Sequence, residues 1–130
     1  MPARRRTDPT EGLAALRTVE DVLAEGGEPT RPLLATAVRY ALEELAARYP
    51  GGSVEVRVPP FAAVQVIEGP RHTRGTPPAV VEMDATTWIE LATGATGFDQ
   101  ARSAGRVRAS GNRADLGDLL PLVPPRTVLP

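Results

Sequence analysis

His72 is the sole histidine of the sequence, so any role as a general base falls to it. Ser110 or Thr73 could supply a hydroxyl to activate, and Asp84, Asp99 or Asp115 could orient the imidazole, as in a hydroxyl–imidazole–carboxylate triad. No nucleophile-elbow motif supports that assembly, and a lone histidine in an arginine-rich loop is more often structural. The adjacent carboxylates Glu43 and Glu44 fall on a helix surface and read as solvated. The expectation is a chain without catalytic residues.

Arginine offers more. The connection Glu68–Pro78 carries Arg71, His72, Thr73 and Arg74 between glycines and prolines. Prolines lower the entropy cost of holding one conformation, and loops this long in a compact domain are often functional. Arg71 and Arg74 could grip a carboxylate or phosphate, with His72 as a further donor; the competing role is to hold the loop to the core. A second group, Arg102, Arg106, Arg108 and Arg113, has no acidic residue within it. On a strand, Arg106 and Arg108 share a side. They form either an anion-binding patch with Arg71 and Arg74 or, more ordinarily, a solvated face paired with Glu55, Glu82 and Asp99.

The rest of the composition mostly excludes. Among 130 residues all fifteen basic ones are arginine, against sixteen acidic, and there is no cysteine. Disulfides, thiolate chemistry and multi-histidine metal sites are excluded, as are Schiff-base lysines and a phosphate-loop lysine. No cofactor is expected. Near-zero net charge with five aromatics argues against nucleic-acid binding. No apolar run approaches the ~20 residues that span a bilayer, so stable membrane insertion is not expected. Arg4-Arg5-Arg6 leads into Thr7-Asp8-Pro9 rather than an apolar stretch, unlike a signal peptide, and the expected location is the cytoplasm.

The elements that would position these groups follow from periodicity. Residues 1–7 read as a basic, disordered tail and 8–130 as a single domain. Asp8-Pro9-Thr10-Glu11 opens a first helix with a stripe of Leu13, Leu16, Val19 and Leu23, ended by Gly26-Gly27. Thr30 caps a second, with Leu34, Val38, Ala41, Leu42, Leu45 and Tyr49. Val54, Val56 and Val58 alternate with polar residues as a strand, Pro59-Pro60 breaks it, and Phe61–Ile67 and Ala79–Met83 read as two more. Short connections predict antiparallel pairing among these three. Asp84 caps a helix bearing Trp88, Leu91 and Ala92, closed by Gly94. Thr96-Gly97-Phe98-Asp99 reads as a capping box for a short helix, 105–110 as a fourth strand, and Asn112 with Asp115 as the cap of a last helix carrying Leu116, Leu119 and Leu120. A terminal strand at 127–129 is weakly signalled. The class is α+β, a small, mostly antiparallel sheet covered by helices.

The run Leu91-Ala92-Thr93-Gly94, a short helix, then Gly105-Arg106-Val107-Arg108-Ala109-Ser110-Gly111-Asn112 and a leucine segment resembles the sterol carrier protein type 2 family. With Arg57-Val58-Pro59-Pro60-Phe61 and the 72–78 segment it looks like the small bacterial sterol-carrier-like branch, over residues 53–122. It also resembles the C-terminal module of mycothiol-dependent maleylpyruvate isomerases, but without a second, histidine-bearing domain that metal chemistry does not carry over. The chain ends Val128-Leu129-Pro130, so the peroxisomal tripeptide of eukaryotic relatives is missing. The resemblance implies a layered fold, here with an added N-terminal helix, and an apolar cavity for a fatty acyl chain, acyl-CoA or other lipid.

Val64, Val66, Met83, Trp88, Leu91, Phe98, Leu116, Leu119 and Leu120 would line such a cavity, with Arg71, His72 and Arg74 at the headgroup. The same residues could instead pack on one another and leave no room. The expected function is a non-enzymatic carrier of an apolar, anionic small molecule or lipid. The alternative is an accessory module with a protein partner, the fold kept and the cavity filled.

Overall fold

The computed structural model describes residues 6–69, 79–111 and 114–124. Helix α1 (Pro9–Ala24) begins where the Asp8 carboxylate accepts the Glu11 N–H at 3.0 Å, with Pro9 at the first position. It buries Gly12, Ala15, Leu16 and Val19. Leu13 instead stands 39% exposed, so the inward stripe is rotated from the expected one. The cause is the contact with helix α2 (Arg31–Arg48), where the Tyr40 ring lies on Gly12: a Cβ there would stand 2.3 Å from Tyr40 Cδ1. Thr30 caps α2 as expected. Because α2 packs on α1, on α3 and on the sheet, its buried face is wide, running from Ala35 to Ala46.

Strands β1 (Val54–Val58), β2 (Ala62–Val66), β3 (Ala79–Met83) and β4 (Val107–Ser110) form one mixed sheet in the order β2-β1-β3-β4. Pro59, Pro60 and Phe61 make the β1–β2 turn, closed by the Phe61 N–H to the Val58 carbonyl at 3.0 Å. β1 pairs antiparallel with β2 but parallel with β3, which corrects the expected antiparallel trio. The end of β2 (Val66) and the start of β3 (Ala79) both lie beside Val54. β2 thus ends and β3 begins at the same level of the sheet, on either side of β1. Direction alternates along the chain as expected, but β1 sits between its two successors.

Alternation divides the sheet. Val64, Val56, Val81 and Ala109 form one row on the inner face, whereas Ala63, Arg57, Glu82 and Arg108 form a row on the open face. Helix α3 (Ala85–Thr93) starts at the Asp84 cap and ends at Gly94 in the left-handed conformation, φ 83°. It is buried on nearly every side. Helix α4 (Phe98–Ser103) has Gly97 as its cap without a side-chain bond, because Thr96 turns its hydroxyl to Glu90 instead.

The expected last helix shrinks to one 3-10 turn, Gly117–Leu119, with Asp115 accepting the Gly117 N–H. Gly117 and Pro121 leave too few residues to propagate a helix, and Leu122 and Val123 turn to hydrogen-bond the Ala92 carbonyl at the end of α3. Asn112 and the expected strand at 127–129 lie outside the described residues. Four α-helices and a four-stranded mixed sheet make the class α+β, with the N-terminal helix present among the described residues. No described helix is long and apolar enough to cross a membrane.

Candidate functional site

Between the inner sheet face and the helices lies an apolar layer. Val66, Trp88 and Leu116 have no exposed surface, Leu91 has 1%, and Met83 and Phe98 have 4%. Val64, Leu119 and Leu120 are half-buried and pack against the same cluster. All nine apolar residues singled out in the sequence thus share one cluster. Alternation along β2 and β3 and the helical face of α3 bring five of them there, the start of α4 brings Phe98, and the segment around the 3-10 turn brings Leu116, Leu119 and Leu120. Trp88 is also fixed: its indole N–H donates to the Val38 carbonyl of α2 at 3.3 Å.

At one edge of the layer, Met83 lines a hollow of about 400 Å³ with Pro59, Glu82, Asp84, Gly105, Arg106 and Arg108. A buried thioether there adjoins Glu82 and Asp84 around the end of β3, Arg106 and Arg108 around the start of β4, and Pro59 of the β1–β2 turn. Arg106 precedes β4 rather than lying in it, and its guanidinium grips Glu90 of α3 with Nη1 to Oε1 at 3.1 Å and Nη2 to Oε2 at 3.0 Å. Thr96 adds a hydrogen bond to Oε1 at 2.8 Å. The bond from Arg106 holds the Glu90 carboxyl below its ordinary range, against a smaller opposing effect of burial, and Thr96 helps. The same bond raises the Arg106 pKa.

Glu90 escaped the sequence reading, which offered Glu55, Glu82 and Asp99 as arginine partners. Its place three residues from Thr87 and Thr93 on a short helix carried no distinctive spacing. Of those expected partners, Glu55 pairs instead with Arg57, an arginine outside that group. Glu82 stands opposite both Arg57 and Arg108 in register. Glu43 is half-buried and accepts the Thr7 N–H at 3.0 Å, while Glu44 pairs with Arg48, so both carboxylates serve the helices. Arg71, His72, Arg74 and Arg113 lie outside the described residues. A separate hollow of about 350 Å³ lies between the end of α1 and α3, floored by Leu23, Ala24, Ile89 and Ala95 and edged by Glu20 and Asp21.

An α+β fold with a sheet face roofed by helices over an apolar layer suits a carrier of apolar molecules. Residues 30–122 match the family described as bacterial SCP ortholog, and the chain belongs to this sterol carrier protein-like family. The match starts earlier than the motifs did and takes in all of α2, leaving α1 outside. Such domains are generally non-catalytic carriers of hydrophobic ligands. No curated protein matches the chain.

Proposed function

We propose that this protein is a non-enzymatic carrier or binding domain for an apolar small ligand such as a fatty acyl chain, acyl-CoA or another lipid. The supporting observation is the family match across 30–122, the span that builds the apolar layer. In this reading Val64, Val66, Met83, Trp88, Leu91, Phe98, Leu116, Leu119 and Leu120 face the apolar part of the ligand. Arg71, His72 and Arg74 take its headgroup in the cytoplasm. Native mass spectrometry of gently purified protein, followed by titration with a fluorescent fatty acid and an acyl-CoA, tests it. A co-purified lipid or saturable binding is expected; the absence of both defeats it.

The second reading is an accessory interaction module that keeps the fold and fills the layer. Full burial of Val66, Trp88 and Leu116, together with the Trp88–Val38 hydrogen bond, favours it. It predicts a ligand-free mass, no saturable lipid binding, and a protein partner whose capture is lost on Arg74→Ala.

A further inference from the structure

Thr87 lies in α3 with 1% of its surface exposed, and its hydroxyl has no hydrogen-bond partner among the described residues. Three other helical threonines behave differently. Thr18, Thr36 and Thr93 each return the hydroxyl to the carbonyl four residues back, at 2.9, 3.1 and 2.8 Å, the usual way a helix satisfies this side chain. At Thr87 the backbone N–H is taken by the Asp84 carboxylate at 2.8 Å, and the hydroxyl alone is left over. A buried unpaired hydroxyl carries a desolvation cost that an isosteric valine would avoid.

The Asp84 carboxylate stands at the Thr87 backbone, and apolar side chains continue the helix beyond it. Thr87 adjoins Trp88 and sits one turn from Leu91 on the same helix face, and both are buried members of the apolar cluster. On the same helix, the Glu90 carboxylate is taken through both its oxygens by the Arg106 guanidinium. A carboxylate brought to Thr87 would be buried and would add a like charge beside the Asp84 carboxylate that holds the Thr87 N–H, which is costly, whereas a neutral oxygen carries no such cost.

We propose that the Thr87 hydroxyl is the polar handle of the ligand site, hydrogen-bonding a neutral oxygen, a hydroxyl or an ester carbonyl, on an otherwise apolar ligand. The inference rests on the carrier reading and narrows its ligand class. A hydroxyl without a protein partner is then a feature the bound state completes. The cost in the empty protein is the ordinary exchange of stability for function.

Trp88, the one tryptophan, is the adjacent residue and supplies the readout. Its emission is followed while decan-1-ol, methyl nonanoate, decanoate and decane are each titrated into the wild type, Thr87→Val and Thr87→Ser. Thr87→Val should weaken the alcohol and the ester about five- to tenfold, the worth of one hydrogen bond. It should leave decane and decanoate unchanged and raise the melting temperature of the empty protein. Thr87→Ser should keep the wild-type affinities for the alcohol and ester.

An equal loss for decane would reduce Thr87 to packing and overturn the proposal, as would no loss for any ligand. A loss greatest for decanoate would overturn the neutral-oxygen assignment. Failure of the wild type to bind any of the four overturns this proposal, while the carrier reading is judged separately by the native mass and the acyl-CoA titration, so the two failures are told apart.

Discussion

Gly12 shows how much one missing side chain can decide. Within a helix, glycine is less favourable than alanine by ~1 kcal/mol, so Gly12→Ala should gain on propensity alone. Its Cβ, however, would meet three Tyr40 carbons, Cδ1, Cγ and Cβ, at 2.3, 2.4 and 2.7 Å. These are not the far end of a flexible chain, so the ring or the helix must shift. Overpacking of this kind costs ~1–3 kcal/mol, which outweighs the propensity gain. Gly12→Ala should therefore lower the melting temperature by several degrees, and Tyr40→Leu in the same chain should recover part of the loss. Thermal unfolding of the two variants checks this. The contact was illegible in the sequence because a glycine in a helical stripe reads as a gap. Only the approach of a second helix turns it into a docking point, and that approach also displaces Leu13 to the surface.

Elements were legible where local chemistry settles them and illegible where a distant partner does. Asp8, Thr30, Asp84 and Gly94 end their helices as their types predict, because a cap is completed within three or four residues. Thr96 was misread since its hydroxyl chose Glu90 over the helix beside it. Likewise the parallel β1–β3 pair depends on which strand lies between two others, and no local pattern records that.

The Glu90–Arg106 clamp joins α3 to the start of β4 and gives a pH-dependent prediction. Glu90 titrates lower in the folded chain than its ordinary value, so the unfolded chain takes up the proton first. The pair's contribution is complete at neutral pH and is lost as pH falls through the lowered folded value. Glu90→Gln should thus reduce the melting temperature at pH 7, and its difference from wild type should shrink on acidification through the carboxylate range. A difference independent of pH would mean that the clamp acts by shape rather than charge. Thermal unfolding of both proteins at pH 7 and at pH 3 measures it.

For the molecule as a whole, α1 poses the sharpest question, because it lies outside the family match yet supplies part of the core. Leu16 and Val19 are fully buried and Ala15 is 7% exposed, packed toward α2 and α3. Burying a leucine or valine contributes ~1.5–3 kcal/mol each, and the faces of α2 and α3 that α1 covers add to this. The total, on the order of 5 kcal/mol, matches the lower end of the net stability of a small domain. Removing residues 1–26 should consequently leave a chain that is largely unfolded or that binds a hydrophobic dye strongly. The family-matched segment would then not stand alone. Circular dichroism and dye fluorescence of the shortened chain decide the point. A cooperative melt with unchanged midpoint would instead make α1 an appendage, its end free to serve the α1–α3 hollow. The expected outcome assigns α1 a structural debt to the carrier fold: the helix that the family pattern omits closes the far side of α2. The α2 face thereby stays dry while its other side supports β2 and the carbonyl that holds Trp88.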